Sequence, residues 1–292
     1  MKNFTRCFGL ALALFFLFIQ TPLLASRIYV ASGATGSGTS WASALGNIQT
    51  AINGATASDE IWVKGGVYTL ASTITIKEGV SLYGGFLGNE TTLSERNLAT
   101  NPKSSLTGGG AVRIITQTTD FAQQTIIDGF SLESGYAVCG GGALLKSGVS
   151  LSNCMVVNNF ASSTSTGNTP LAGGGGIYVE GTATIVNCLI ANNESEYGGG
   201  LNLRGGAQLI NCTVVNNVAN YNLGSNGRGA WLADGSVKIY NTVFWGNGAS
   251  GANELTLNGL ATIENCATDD GVNYGTNCIK LTYHLQIVPL FS

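Results

Sequence analysis

The stretch GGGIYVEGTATIVNCLIANN, residues 174–193, decides the fold because a second copy, GGGLNLRGGAQLINCTVVNN, follows at residues 198–217. Each copy has a glycine triplet, a short apolar strand, a turn, a second strand, Asn-Cys, a third strand and Asn-Asn. Such a repeat is typical of a solenoid, in which each repeat forms one coil and successive coils stack. The glycine clusters are not followed by the Lys-Ser/Thr and the helix of a phosphate-binding loop, so we assign them to tight corners of the chain.

The asparagine of the Asn-Cys step marks the coils along the chain. It recurs at Asn153, Asn187, Asn211, Asn241 and Asn265. The basic spacing is 24 residues, and the longer intervals hold extra residues at 161–172 and 220–226, which we assign to loops. Strands of stacked coils lie about 4.8 Å apart. We therefore expect these asparagines to form a ladder of side-chain amides at one turn, although independent turn residues are the alternative.

Alternation along the strand after each glycine cluster predicts which side chains point into the coil. The predicted inward pairs are Ala143/Leu145, Ile177/Val179, Leu201/Leu203 and Ala230/Leu232. Four cysteines share another repeat position, where a free thiol packs like a small apolar residue: Cys154, Cys188, Cys212 and Cys266. We expect a reduced stack there. Disulfides between neighbouring coils are the alternative, and Cys266 and Cys278 are placed to close a loop.

Composition excludes several classes of protein. The chain of 292 residues has 42 Gly, only 10% charged residues and a formal net charge of −3, so it has no basic patch for a nucleic acid. A single histidine and the absence of paired CxxC motifs argue against a zinc site. Residues 1–25 read as a signal peptide, with a basic start, a short apolar run and Ala25 before the cleavage point. The later sequence contains no run of apolar residues long enough to span a membrane.

The N-terminal region, residues 26–72, predicts a strand, a Gly-rich loop and a helix over about 44–55, capped by Ser43. The segments Ile28-Tyr29-Val30, Thr39-Ser40-Trp41, Ile48-Gln49-Thr50-Ala51-Ile52 and Gly66-Val67-Tyr68 resemble the start of secreted right-handed parallel β-helix proteins with a pectate-lyase-like fold. That resemblance implies an all-β, single-stranded right-handed parallel β-helix with an N-terminal capping helix, and coils over 73–292. It also implies export to the cell surface or the extracellular medium.

The outward positions of the strand after each glycine cluster are the candidate site. One column reads Leu144, Tyr178, Asn202 and Trp231, and the next reads Lys146, Glu180 and Arg204. Aromatic faces on a flat sheet suit sugar rings. We therefore predict an exported carbohydrate-binding or adhesion protein that binds a polysaccharide or surface glycan through Tyr178, Asn202 and Trp231, without a cofactor or metal. The plainer interpretation of the charged column is a solvated charge ladder that sets the register.

The alternative is a polysaccharide lyase, which the resemblance implies. Such enzymes use Arg or Lys as base and Ca²⁺ to acidify the proton of a uronic sugar, so Arg204 or Lys146 would be the base beside Glu180. The carboxylates that calcium needs are missing: Glu194, Glu196, Asp269 and Asp270 lie at turns, and the two aspartates should face opposite ways. The repeats also resemble those of polymorphic outer-membrane adhesins. The apolar segment 285–292 predicts that a partner or further coils cover that end.

Overall fold

Parallel strands stacked coil upon coil make up almost all of the structure. The computed structural model describes residues 25–162, 173–220, 227–247, 253–270 and 272–281. The predicted signal peptide, the two long insertions and the segment 285–292 lie outside the described residues, apart from a few boundary positions. No helix within the described ranges is long and apolar enough to cross a membrane.

Two nine-stranded sheets form two sides of the coil. Sheet A contains β1 (Arg27–Val30), β2 (Glu60–Lys64), β5 (Ser81–Phe86), β8 (Thr125–Asp128), β12 (Val149–Ser152), β16 (Thr184–Val186), β20 (Gln208–Ile210), β24 (Lys238–Tyr240) and β27 (Thr262–Glu264). Sheet B contains β3 (Gly66–Thr69), β6 (Ser104–Thr107), β9 (Phe130–Glu133), β13 (Met155–Val157), β17 (Leu189–Ala191), β21 (Thr213–Val215), β25 (Val243–Trp245), β28 (Ala267–Thr268) and β29 (Ile279–Lys280).

A seven-stranded sheet and a smaller one complete the coil. Sheet C contains β4 (Ile74–Thr75), β7 (Ile115–Thr116), β11 (Ala143–Leu145), β15 (Ile177–Glu180), β19 (Leu201–Arg204), β23 (Ala230–Leu232) and β26 (Leu255–Leu257). Sheet D contains β10 (Tyr136–Ala137), β14 (Phe160–Ala161), β18 (Glu194–Ser195) and β22 (Val218–Ala219). The three long sheets correspond to the three predicted strands of each coil, whereas sheet D was not predicted.

The core fills the inside of the coil with aliphatic side chains. Residues at equivalent positions pair in register, as Ile177 does with Leu201, so each inward position builds a column along the axis. All four predicted inward pairs, from Ala143/Leu145 to Ala230/Leu232, are fully buried in this core. That prediction is confirmed, because successive side chains of a strand alternate between its two faces.

A cap of helix and aromatic residues closes the N-terminal coil. The helix α1 (Ile48–Gly54) buries Ile48 and Ile52 against the first coils. It is shorter than predicted, and its cap is Asn47, whose Oδ1 accepts the Thr50 amide at 2.9 Å. Ser43 instead ends a short 3₁₀ helix, Trp41–Ser43, and a second one spans Leu93–Glu95.

Two asparagine positions, not one, mark the turns of each coil. The predicted ladder at Asn153 and its equivalents lies at exposed turns with positive φ, and its links are uneven, for example 3.5 Å from Asn187 to Asn153 and 3.0 Å from Asn241 to Asn211. A second ladder, formed by the last asparagine of three Asn-Asn pairs and by Asn247 of the next coil, is buried and better bonded. Its members are Asn159, Asn193, Asn217 and Asn247, joined by side-chain hydrogen bonds of 2.8–3.0 Å.

The cysteine stack lies where the sequence placed it. Cys154, Cys188, Cys212 and Cys266 are buried in the core, and all six described cysteines are free thiols. The Cys188 amide donates to the Cys212 Sγ at 3.4 Å, and Thr242 accepts in the same way from Cys212. The stack therefore takes part in the bonding between coils.

Candidate functional site

The outer face of sheet C brings together the residues that the sequence singled out. Strand register places Leu144, Tyr178, Asn202, Trp231 and Thr256 side by side in five successive coils. We call Tyr178, Asn202, Trp231 and Thr256 the outer column. None of these four belongs to the core cluster inside the coil, so the outward direction of the predicted column is confirmed.

The expected flat, exposed aromatic face is a wrong prediction. The exposed fraction is 4% for Tyr178, 0% for Asn202 and 7% for Trp231. The cause lies in the glycine corners, which let the backbone lie against the column. At Gly173, for example, an added Cβ would stand 3.3 Å from the Asn202 Nδ2. The Tyr197 ring also covers Trp231, edge to face at 5.3 Å.

Buried polar atoms without partners are concentrated at this face. Within the described residues, no hydrogen bond reaches either end of the Asn202 amide, the Trp231 Nε1, the Thr256 Oγ1 or the Glu196 Oε2. A buried polar group left unpaired costs about 1–3 kcal/mol, and native proteins contain few of them. Three of the four residues are successive members of the outer column. The column predicted from the sequence ended at Trp231 and so missed Thr256, and Tyr197 lies at no repeated position.

Charged side chains run beside the outer column, and we call Lys146, Glu180 and Arg204 the charged column. The Lys146 Nζ lies 3.0 Å from the Glu180 Oε2, in a pair whose side chains are 25% and 46% exposed. Glu180 is in register with Arg204, and the Arg204 guanidinium lies 5.2 Å from the centre of the Tyr178 ring. The arrangement fits the predicted charge ladder, and Arg204 additionally joins it to the outer column.

The local electrostatics follow from burial and from Arg204. Burial raises the pKa of the Tyr178 phenol, an effect that Arg204 opposes and Glu180 reinforces. Burial also acts to raise the pKa of Asp234, but hydrogen bonds from Gly205 and Ser236, together with the charge of Arg204, bring it below its usual value. At neutral pH the phenol is therefore protonated and Asp234 is ionised.

Two of the carboxylates predicted at turns, Asp269 and Asp270, gather around Glu254. Asp269 and Asp270 do not face opposite ways: the Asp270 Oδ2 accepts the Glu254 amide at 2.9 Å, and Asp269 hydrogen bonds to the Glu254 side chain. The alternation rule fails because both aspartates lie just beyond β28, in a bend. Burial, followed by the hydrogen bond and charge of Asp269, raises the pKa of Glu254 to about 9. Among the described residues, no group of three His, Cys, Asp or Glu side chains could hold a metal ion.

A pair of exposed aromatic rings lies on sheet D. Tyr136 and Phe160 are neighbours in register, with ring centres 5.7 Å apart and nearly parallel planes, and they are 42% and 36% exposed. The rings face each other, so each ring has at most one free face.

The comparisons with known proteins identify the fold. No protein-family model and no curated protein matches the chain. Among solved structures, pectate lyase Pel9A aligns over 84% of this chain and 69% of its own, with 16% identity and a TM-score of 0.53. Pectin methylesterase PemA from Erwinia chrysanthemi aligns over 86% of this chain and 81% of its own, with 12% identity and a TM-score of 0.43. A pectin methylesterase from Aspergillus niger aligns over 89% of this chain and 91% of its own, with 15% identity and a TM-score of 0.40. The chain has the right-handed parallel β-helix fold of pectate lyase Pel9A.

Proposed function

We propose that this protein binds a polysaccharide along the outer face of sheet C, as an extracellular or cell-surface protein, with Tyr178, Asn202 and Trp231 as the main contacts. One observation carries the proposal: three successive side chains of the outer column hold buried polar atoms that find no partner among the described residues. A ligand that supplies these partners recovers the free energy that the folded chain loses by burying them.

Sugar hydroxyls match the chemistry of these atoms. The Asn202 amide offers donors and an acceptor, the Trp231 indole offers one donor, and the Thr256 hydroxyl offers both functions. A hydroxyl group donates and accepts, so adjacent hydroxyls of one sugar ring complement such a row. The rings of Tyr178 and Trp231 add apolar faces next to the polar groups, the combination on which carbohydrate sites depend.

The depth of the column sets a requirement for binding. Because Trp231 is only 7% exposed and lies under Tyr197, a sugar reaches its indole only when the Tyr197 ring moves aside. The charged column is more accessible, since Glu180 is about half exposed at its side chain. In the proposal the polysaccharide first contacts Lys146 and Glu180 and then engages the deeper column.

Affinity electrophoresis tests the proposal. The protein is run in native gels that contain polygalacturonate, alginate, xylan or a mixed-linkage β-glucan, and retardation is compared with a sugar-free gel. We expect retardation by at least one polymer. Asn202→Leu and Trp231→Phe should abolish most of it, because the first removes the amide at nearly constant shape and the second removes the Nε1 donor but keeps an aromatic ring. Lys238→Ala, on sheet A, is the matched control and should migrate like the unmodified protein.

Two outcomes would overturn the proposal. One is the absence of retardation by every polymer, and the other is equal retardation of the Asn202 variant and the unmodified protein. The same samples, incubated with Ca²⁺ and either uronate polymer, separate binding from the lyase alternative. Growth of ultraviolet absorbance from unsaturated products, lost in Arg204→Ala or Lys146→Ala, would establish a lyase instead.

A further inference from the structure

Two cysteines stand in register at the last pair of strands in sheet B. The partners Ala267 and Ile279, together with the bridge between Glu264 and Thr276, keep one constant offset on both sides of Cys266 and Cys278. These two cysteines are therefore direct neighbours on parallel strands. Neighbouring parallel strands lie about 4.8 Å apart, within the range of Cα separations that disulfides span.

Both sulfurs point in the same direction. The Cys266 Sγ donates to the Glu264 carbonyl at 3.3 Å, and the Cys278 Sγ lies in the equivalent place, 3.6 Å from the Thr276 carbonyl. Cys278 also packs against the core into which Cys266 is buried. Burial, with a smaller contribution from the neighbouring Cys278 thiol, raises the pKa of Cys266 to about 11.

The pair differs from the inner cysteines in freedom to move. Cβ atoms of in-register parallel strands stand slightly farther apart than the 3.5–4.5 Å or so that a disulfide needs, so one strand must approach the other. Cys188 and Cys212 have a coil on each side and are almost fully buried. The strand β29, in contrast, has a neighbour on one side among the described residues, and Ile279 is 59% exposed.

We propose that Cys266 and Cys278 form a disulfide when the protein meets a small-molecule disulfide such as oxidised glutathione. The Cys278 thiolate attacks one glutathione sulfur and releases the first glutathione thiolate. The Cys266 thiolate then attacks the Cys278 sulfur and releases the second. The two electrons and two protons of the cysteine thiols leave in two reduced glutathione molecules. The bond fastens β29 to β28 and closes a short loop over residues 267–277.

Peptide mapping tests this assignment directly. The reduced protein is incubated with oxidised glutathione at about pH 8.5, close to the ordinary thiol pKa. It is then denatured in the presence of iodoacetamide and digested with trypsin. Residues 239–280 form one tryptic peptide, which contains Cys266 and Cys278 and no other cysteine. We expect this peptide to lose two hydrogens and to carry no alkyl group, while Cys139, Cys154, Cys188 and Cys212 are all alkylated.

Single variants separate an internal bond from simple thiol modification. In Cys266→Ser, Cys278 should retain glutathione as a stable mixed disulfide, because the second thiol is gone. In Cys278→Ser, Cys266 should stay reduced and unmodified because it is buried. Three outcomes in the protein without substitutions would overturn the proposal. They are double alkylation of the 239–280 peptide, glutathione retained on Cys278, and oxidation of Cys188 and Cys212 to the same extent.

Discussion

Two buried asparagines on the same coil provide a sharp test of the outer column. Asn202 and Asn217 are both 0% exposed. The Asn217 side chain donates to the carbonyls of Ile190 and Val215 and to the Asn247 Oδ1, and its Oδ1 accepts from the amide and the Nδ2 of Asn193. Within the described residues, neither end of the Asn202 amide has a partner. Leucine has nearly the same size as asparagine, so the two substitutions remove a well-bonded amide at Asn217 and an amide without described partners at Asn202.

The expected changes in the free energy of unfolding have opposite signs. Asn217→Leu removes the acceptor of two Asn193 donors and the donor to three acceptors in the core, at about 1–3 kcal/mol for each group left without a partner, so a loss of roughly 3–6 kcal/mol is expected. Asn202→Leu removes an amide that has no partner among the described residues and adds apolar contact, so a gain of about 1–3 kcal/mol is expected. A residue that serves binding at the expense of stability should behave in this way.

Urea unfolding followed by circular dichroism gives the comparison. The midpoint should rise for Asn202→Leu and fall for Asn217→Leu, with similar slopes if each variant unfolds from the same fold. The same Asn202 variant should have lost polysaccharide binding in the native gels. Loss of both stability and binding would show that the Asn202 amide has structural partners, and this would refute the argument from unpaired polar groups. A loss of binding together with a rise in the midpoint cannot come from misfolding.

Two further predictions concern buried ionisable groups. Glu254 keeps its proton up to about pH 9 in the folded state and releases it near 4.5 when unfolded, so the free energy of unfolding should fall as pH rises through that window, by at most about 1.4 kcal/mol per pH unit. In urea unfolding at pH 5, 7 and 9, Glu254→Gln should remove this slope, and the control Glu264→Gln should keep it. Arg96 and Asp128 form an ion pair whose side chains are 9% and 8% exposed, so Arg96→Met should lower the free energy of unfolding by about 3–5 kcal/mol. Lys146→Met, at a more exposed pair, should lower it by less than about 1 kcal/mol. Equal losses in the same assay would contradict the burial argument.

The repeated positions of the sequence predicted the fold because they report on stacking. Ile177 and Leu201 recur one coil apart, and the structure pairs them in register inside the core. The second, buried ladder was missed for a related reason. Both asparagine positions repeat, but the sequence alone does not tell which amide is buried. Asn193 is buried and bonded to Asn217, whereas Asn187 lies at an exposed turn.

The direction of the outer-column side chains was predicted, but their environment was not. Alternation correctly directed Tyr178 and Trp231 out of the coil, since it depends only on strand geometry. Their burial depends on the glycine corners and on Tyr197, which belong to other parts of the coil. The glycines were visible in the sequence, but the side chain that each one approaches follows only from the path of the chain.

On a solenoid, a position whose residue type changes from coil to coil is not determined by stacking and is free to serve a function. The inward neighbours of the outer column remain aliphatic from coil to coil, whereas the outer column itself changes from Tyr178 to Asn202, Trp231 and Thr256. Stacking alone would favour identical or matched neighbours, as in the Asn193–Asn217 ladder. A row that breaks the repeat and also buries polar atoms with no partner among the described residues gives up stability at one face only. The binding proposed for that face would account for both features.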